Sequence, residues 1–197
     1  MRPLSGPPRA FTRYEPLAGS EVKHVVLELG GSDPFIVMPS ADPDDAVATA
    51  VSARTSNNGQ VCTHAKRFIV HDAVYDEFVR RFSDAIASLT GITSEMRLYA
   101  EEAFGPVAAV YRVDSPEQAL RIANDTTFGL SSAVWSNDPE EQDRFIAGID
   151  AGAVFVNGMS ISYPEMPFGG TKDSGIGREL SLEGILEFCN AKSVWVR

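Results

Sequence analysis

Residues 67–86 read RFIVHDAVYDEFVRRFSDAI, and this segment decides the fold class. Its first five residues form a short run rich in apolar and β-branched side chains, which is typical of a buried strand. From Asp72 onward the apolar residues recur at helical spacing, and aspartate is a common residue at a helix N-terminus. The segment therefore predicts a strand that passes directly into an amphipathic helix, whose core-facing positions are Val74, Tyr75, Phe78, Val79, Phe82 and Ile86.

The same alternation of strand and helix continues on both sides of this segment. Short apolar runs predict further strands over residues 25–29, 35–38, 107–113, 130–135, 154–156 and 193–196. Prolines beside acidic residues predict helix N-termini near Pro43, Pro116 and Pro139, and a last helix is predicted over residues 180–188. Because strands that alternate with helices imply right-handed crossovers, we predict an α/β fold with three layers and a mostly parallel sheet.

Composition and charge narrow the functional classes. The chain has 197 residues with 17 basic and 27 acidic side chains, and the net charge of −10 argues against nucleic acid and anionic membrane surfaces. No apolar run approaches the ~20 residues of a membrane span, and the N-terminus lacks a signal-peptide pattern, so we expect a cytoplasmic protein with no membrane contact. Reduced thiols at Cys62 and Cys189 fit that compartment. His24, His64 and His71 do not follow metal-ligand spacing, so no metal site is predicted.

Cys62 is the candidate nucleophile, and Glu28 is the candidate general base. Cys62 ends the run NNGQVC (57–62), whose first residues are typical of a turn. A free cysteine is more often a small buried hydrophobe, but a cysteine that follows a turn is presented rather than packed. Glu28 follows a strand-like apolar run and shortly precedes two glycines, where backbone can closely approach a ligand.

Five motifs, in order, resemble those of the aldehyde dehydrogenase family. They are ELGG (28–31), NGQVC (58–62), EEAFGPV (101–107), the stretch 124–130, and PFGGTKDSGIGRE (167–179). The surrounding segments GSDPFIV (31–37) and EFCN (187–190) most resemble the succinate-semialdehyde dehydrogenase branch. The resemblance covers nearly everything from about Val25 to the C-terminus, and it implies the fold of the family's catalytic domain.

The resemblance also implies roles for individual residues. In this family a cysteine attacks an aldehyde, a hydride passes to NAD or NADP, and a base-activated water hydrolyses the resulting thioester. Carried over, Cys62 is the nucleophile and Glu28 is the base. Glu102 resembles the glutamate that holds the nicotinamide ribose, and Phe104 resembles the aromatic residue beside the nicotinamide. Without the resemblance, Glu102 would be interpreted as a solvated acid and Phe104 as a core ring.

The chain departs from the family pattern in two places. Residues 1–20 are rich in proline and lack apolar periodicity, so we predict an extended or disordered arm there, followed by one catalytic-domain unit over residues 21–197. Family members are much longer on this N-terminal side, and most of the cofactor domain has no counterpart. No Gly-x-Gly-x-x-Gly motif supplies a self-contained dinucleotide site. The unit is also predicted to be internally shortened near residues 89–92.

Three functions remain open on these grounds. The first is oxidation of a small aldehyde such as succinic semialdehyde, with an NAD(P) surface that is supplied by another chain or reduced to Glu102 and its neighbours. The second keeps Cys62 and Glu28 in a thioester or ester hydrolase, or an acyl-transfer enzyme, that needs no nicotinamide. The third is a non-catalytic subunit that binds a related chain. The apolar C-terminal residues resemble an intersubunit strand, so we expect a homo-oligomer or association with a related chain. Ser160, Ser162 and Tyr163 are candidate pocket residues by position.

Overall fold

The computed structural model describes residues 4–5, 11–86, 88–90, 95 and 101–197. The strands are β1 (Leu4–Ser5), β2 (Leu27–Glu28), β3 (Pro34–Val37), β4 (Arg67–His71), β5 (Ser88–Thr90), β6 (Ala108–Val113), β7 (Phe128–Gly129), β8 (Ala133–Trp135), β9 (Phe155–Val156), β10 (Thr171–Lys172) and β11 (Gly175–Ile176). The helices are α1 (Phe11–Ser20), α2 (Pro43–Thr55), α3 (Asp72–Ala85), α4 (Pro116–Asn124), α5 (Pro139–Gly148) and α6 (Ser181–Leu186), and a 3-10 turn covers Ser56–Gly59.

Six of these strands form a parallel sheet in the order β5-β6-β4-β3-β8-β9. Strand β4 lies near the centre and pairs with β3 on one side and β6 on the other. Helices connect the strands, as the alternating sequence pattern predicts for parallel neighbours. The predicted parallel α/β sheet is therefore confirmed.

Helices pack on both faces of this sheet. One buried cluster joins strand residues such as Phe35 and Phe68 to helices α2 and α3. The other cluster joins Ile36 and Ile69, the next residues along the same strands, to helices α4 and α5. Successive side chains of a strand point to opposite faces, so each strand contributes to both clusters. This arrangement gives the three predicted layers.

Two small sheets lie apart from the six strands. Strand β2 pairs in parallel with β1 and antiparallel with β11, so that Glu28 lies opposite Gly175. Strands β7 and β10 form an antiparallel pair. Strand β2 leads into the loop before β3, and the loop between β10 and β11 belongs to the last predicted motif. The short pairings hold these two loops near the amino ends of the strands in the six-stranded sheet.

The N-terminal prediction is wrong in part. Instead of an extended or disordered arm over residues 1–20, Phe11–Ser20 is a helix and Leu4–Ser5 adds a parallel strand to β2. Helix α1 contains Pro16, and proline inside a helix removes a hydrogen-bond donor and ordinarily argues against helix. The helix therefore forms against the local propensity that the prediction followed.

Two further predictions concern the C-terminal residues and the internal segment near residues 89–92. Residues 193–196 form no strand, and Val194, Trp195 and Val196 are 75%, 82% and 83% exposed. A strand needs a neighbouring strand for its backbone hydrogen bonds, and none of the described strands pairs with this segment. Within the predicted shortening near 89–92, residues 89–90 belong to β5, and residues 91–92 lie outside the described residues.

Candidate active site

Cys62 follows a turn whose backbone is almost wholly left-handed. Asn57, Asn58 and Gly59 have φ angles of 50°, 56° and 70°. Asparagine and glycine are the residues that tolerate this region best, which explains why this sequence forms the turn. A Cβ on Gly59 would lie 2.6 Å from the carbonyl oxygen of Gly105, so the cysteine loop and the segment after Phe104 are in close backbone contact.

The Cys62 thiol is half-buried in this loop. Burial raises the thiol pKa, and the nearby charges of Asp33 and Glu28 raise it further. The Lys66 charge and a hydrogen bond from the Thr63 N–H act in the opposite direction. A raised pKa keeps the thiol protonated at neutral pH, so its nucleophilic form requires a base or a closer cation.

Glu28 is the last residue of β2 and is only 8% exposed. Neither of its carboxylate oxygens has a hydrogen-bond partner among the described residues. Burial, followed by the Glu179 charge, raises the Glu28 pKa to about 8, although Arg178 opposes the shift. Such a carboxyl is mostly protonated at neutral pH and becomes a base near pH 8. Because its charge acts on the Cys62 thiol, the structure brings the two predicted catalytic groups to one site.

Lys66 lies beneath the cysteine loop and is 2% exposed. Its ammonium donates to the carbonyl oxygens of Cys62 at 2.5 Å and Val61 at 3.2 Å. On its other side, Lys66 Nζ lies 3.3 Å from Glu102 Oε1. The ammonium therefore joins the predicted nucleophile to a residue that the family resemblance assigns to the cofactor.

Asp33 is a buried carboxyl at the amino end of β3. It accepts a hydrogen bond from the Ser131 N–H at 3.3 Å, and its second oxygen has no partner among the described residues. Burial raises its pKa to about 7, while Lys66 is the largest of the influences that lower it. Asp33 thus adds a second titratable carboxyl to the surroundings of Cys62.

Arg54, near the end of α2, is fully buried and ties the site together. Its guanidinium donates to the carbonyl oxygens of Gly59 and Ala65, which lie on either side of Cys62. It also donates to those of Ala103 and Gly105, which flank Phe104. One side chain therefore fixes the cysteine loop against the Glu102 segment, since these carbonyls have lost water and need a donor.

The sequence pattern did not identify Arg54, Lys66 or Asp33 as site residues. The only indication in the sequence was that each of these charged residues stands next to apolar residues, which the fold buries. That signal is weak, because the hydrogen-bond partners of Arg54 are up to 51 positions away in the chain. Only the tertiary structure places these partners together.

Glu102 and Phe104 lie at the edge of this site. Glu102 Oε1 accepts a hydrogen bond from the Gly31 N–H at 3.4 Å, besides its ion pair with Lys66. Phe104 is 56% exposed, so its ring is not a core residue and its face is available to a planar group. A carboxylate beside an open aromatic ring fits the hydroxyls of a ribose and an attached nicotinamide.

Four of the described helices, α2 to α5, offer no comparable site for a diphosphate. Diphosphates bind well at helix N-termini that carry free backbone N–H groups. Here the side chains that precede α2, α3, α4 and α5 already accept hydrogen bonds from those first N–H groups. Each of these helices also has an acidic residue in its first turn, which repels an anion. Glu102 and Phe104 therefore fit one end of a dinucleotide, whereas the N-termini of α2 to α5 do not suit its diphosphate.

A small cavity beside Cys62 contains some of the candidate pocket residues. Its lining includes Thr63, Ser131, Ser162, Tyr163 and the ring of Phe155. Ser160 lies close by, since Ser131 Oγ and Ser160 Oγ are hydrogen bonded at 2.8 Å. Aromatic walls with a few hydroxyl groups are common in small-molecule sites. Within the described residues, no group of three His, Cys, Asp or Glu side chains could hold a metal, and no helix could span a membrane.

Comparisons with known proteins agree with the fold. The model of the aldehyde dehydrogenase family matches residues 14–91 and 87–194. The NADP-dependent succinate-semialdehyde dehydrogenase of Mycobacterium avium is 46% identical over 250 aligned residues, covering 98% of this chain and 53% of the relative. The corresponding enzyme of Mycobacterium tuberculosis is also 46% identical, covering 98% of this chain and 55% of the relative.

Solved structures show the same relationship. Succinic semialdehyde dehydrogenase from Streptococcus pyogenes, solved in complex with NADP+, superposes with a TM-score of 0.93 at 31% identity. The superposition covers 98% of this chain and 55% of that chain.

The parallel α/β sheet and these comparisons define the class of protein, and the chain belongs to the aldehyde dehydrogenase family. Within that family, the relatives described above bear the name succinate-semialdehyde dehydrogenase. The chain spans about half the length of the curated relatives it matches. Because 98% of the chain aligns, nearly all of residues 1–20 are also shared with these relatives.

Proposed function

We propose that this chain is an aldehyde-dehydrogenase-type enzyme in which Cys62 and Glu28 act covalently on a small aldehyde such as succinic semialdehyde. The observation that carries the proposal is a half-exposed thiol after a left-handed turn, with a buried carboxylate whose charge acts on it. Neither oxygen of Glu28 has a partner among the described residues, so the carboxylate is free to accept a proton. Similarity to the succinate-semialdehyde dehydrogenases supports the substrate class.

The first step forms a bond between Cys62 Sγ and the aldehyde carbon. The thiol proton is transferred to the carbonyl oxygen, so that a neutral thiohemiacetal results. The backbone N–H of Cys62 would stabilise the negative charge that develops on this oxygen. NAD or NADP, the hydride acceptor used by the family, would meet Glu102 at its ribose and Phe104 at its nicotinamide.

The last step releases the acid from a thioester on Cys62. Glu28 takes a proton from water as the water oxygen bonds to the carbonyl carbon. The carbon–sulfur bond then breaks, and the proton passes to the departing sulfur. Because the Glu28 pKa is raised to about 8, the rate of this step should rise with pH up to about pH 8.

A second reaction is hydrolysis of a preformed ester or thioester without a nucleotide. One observation favours it, namely that the capped and acidic N-termini of α2 to α5 do not suit a diphosphate. This reaction uses the same bond to Cys62 and the same water activated by Glu28. It differs only in starting from an acyl group that is already oxidised.

Hydrolysis of p-nitrophenyl acetate tests the covalent chemistry common to both reactions. We expect Cys62→Ala to lower the rate by roughly 10²–10³-fold, because the nucleophile is lost. Glu28→Gln should retain the initial burst of p-nitrophenol and slow the later turnover by roughly 10²-fold or more, because only deacylation needs the base. Cys189→Ala is the matched control and should turn over like wild type, since Cys189 is the other free thiol and is exposed.

The outcomes separate the functions. Equal turnover in wild type and Cys62→Ala would reject covalent catalysis at Cys62. Reduction of NADP with succinic semialdehyde, together with nucleotide binding by calorimetry, distinguishes oxidation from simple hydrolysis. A folded protein whose Cys62 does not react with iodoacetamide would indicate a binding subunit instead.

We also propose that the C-terminal residues pack against a second copy or a related chain. Val194, Trp195 and Val196 are each at least 75% exposed, and a contiguous apolar segment of this kind is typical of an interface. Sedimentation should show a species larger than the monomer, and Trp195→Ser should shift the protein toward the monomer. A wild-type protein that sediments only as a monomer at micromolar concentration would contradict self-association.

A further inference from the structure

Lys66 joins two parts of the site that the proposed function uses separately. Its buried ammonium contacts the carbonyl oxygens of Val61 and Cys62 on one side. On the other side it is ion-paired with Glu102 at 3.3 Å. An ammonium has three N–H donors, so these three acceptors match its full capacity.

Because Lys66 is buried, its positive charge interacts strongly with charges that lie nearby. A charge pair in a partly dehydrated site interacts several-fold more strongly than it does in water. Lys66 is 2% exposed and the Glu102 side chain is 16% exposed, so solvent screens their interaction only in part. The charge of Lys66 is therefore shared between the Glu102 carboxylate and any negative charge that forms at Cys62.

We propose that Lys66 is a positioning residue that couples Glu102 to Cys62, so that a group which engages the Glu102 carboxylate leaves more of the Lys66 charge to stabilise the Cys62 thiolate. The inference rests on the proposed function, because stabilising the thiolate matters for catalysis only if the Cys62 thiolate is the attacking form. It concerns the substrate-free protein, however, and its test does not require turnover. Arg54 supports the coupling because it holds the cysteine loop and the Glu102 segment in a fixed backbone arrangement.

Other charged and titratable groups also lie near the thiol. Asp33 and Glu28 raise the Cys62 pKa. The Lys66 and Glu102 charges also act on the Asp33 pKa, in opposite directions. His64 is kept neutral, since burial and the neighbouring Lys66 and Arg54 charges lower its pKa. Among the described residues whose charge acts on Cys62, Lys66 is the cation that favours the thiolate. It is therefore the residue through which Glu102 can act.

The test is the pH dependence of Cys62 alkylation by iodoacetamide. All variants carry Cys189→Ser, because the exposed Cys189 thiol would otherwise react as well. Lys66→Met should slow alkylation at neutral pH by roughly tenfold, because a tenfold lower thiolate fraction follows from a thiol pKa higher by one. Glu102→Gln should speed it by roughly threefold, because Lys66 is then no longer partly neutralised.

The double variant decides whether Lys66 is the link. If Glu102 acts through Lys66, Glu102→Gln has no effect on the alkylation profile in the Lys66→Met background. An equal acceleration in both backgrounds would overturn the proposal, because Glu102 would then act directly on the thiol. Lys66→Arg keeps the charge and should restore most of the rate lost in Lys66→Met.

A matched control separates this effect from general loss of acidic charge. Glu101→Gln changes the neighbouring, exposed carboxylate and should leave the profile unchanged. If Lys66→Met does not fold, as judged by circular dichroism, Glu102→Gln compared with Glu101→Gln still tests the proposal in the presence of Lys66. An unchanged profile for Glu102→Gln would then contradict it. Failure of the proposed function would appear differently, as normal alkylation with no turnover of any substrate.

Discussion

The sheet interior and the amino-end site are both buried, but they are built in opposite ways. The interior around β4 is a cluster of aromatic and aliphatic side chains, in which the rings of Phe68 and Phe82 lie 4.6 Å apart. A few residues away, at the amino end of the same strand, the buried side chains are charged. Apolar burial stabilises the fold by about 25 cal/mol per Å² of area, whereas an unpaired polar group in the same position costs free energy. Strand β4 therefore contributes to the apolar interior along its length and to the candidate site at its amino end.

The unsatisfied polar atoms show where that cost is located. Among the described side chains, buried atoms without a hydrogen-bond partner include both oxygens of Glu28, one oxygen of Asp33, Arg54 Nε and His64 Nδ1. These groups lie near Cys62, and Trp135 Nε1 is a further such atom in the sheet interior. Catalytic sites often contain such groups, because a proton acceptor that is already hydrogen bonded is a weaker base. The comparison suggests that the interior provides the stability which the site uses.

Arg54→Leu compared with Phe82→Ala tests this division with the largest expected effects. Phe82→Ala leaves a cavity in the interior and should lower the free energy of unfolding by about 3–5 kcal/mol. Arg54→Leu leaves buried carbonyl oxygens without a donor and should lower it by about 3 kcal/mol. Guanidinium chloride unfolding measures both values.

Reactivity then distinguishes the two variants. Arg54 holds the carbonyls on either side of Cys62, so Arg54→Leu should also change the rate of Cys62 alkylation under native conditions. Phe82 contacts other rings of the interior and not the cysteine loop, so Phe82→Ala should leave that rate within about twofold of wild type. The proposed separation is wrong if both variants change alkylation equally.

The fold was predictable because its signals are local. Strand β4 has the predicted limits, Arg67–His71, since a short apolar run followed by a capped helix leaves little ambiguity. Helix α1 was missed because Pro16 argues against a helix. The prediction for residues 193–196 assumed a pairing partner that the described strands do not provide.

The site was only partly predictable from the sequence. Cys62 and Glu28 were found because each belongs to a short motif with its own turn or strand signal. Lys66 and Arg54 carry no such motif, and their roles depend on carbonyl oxygens that come together only in the fold. Burial of a charge is a property of the tertiary structure, so periodicity along the chain could not reveal it.

The pH dependence of stability gives a smaller effect that is confined to the site. The Glu28 pKa is raised from 4.5 to about 8, so between these values the folded state holds a proton that the unfolded state has lost. The contribution of Glu28 to the free energy of unfolding should therefore be complete below about pH 4.5 and should fall as the pH rises toward 8. Asp33, whose pKa is raised to about 7, contributes with the same sign over a lower range.

Glu28→Gln removes one of the two carboxyl groups whose pKa is raised in the folded protein. We expect wild type to lose about 2 kcal/mol more than Glu28→Gln between pH 5 and pH 8.5, a value below the limit for complete burial because solvent still screens part of the charge. Urea unfolding at several pH values measures the two slopes, and Asp84→Asn, at an exposed carboxylate of α3, should keep the wild-type slope. Identical slopes for wild type and Glu28→Gln would mean that Glu28 ionises in the folded protein as it does in the unfolded chain. The carboxylate would then be stabilised by its surroundings, and the contrast between an interior that supplies stability and a site that consumes it would not hold for the proposed base.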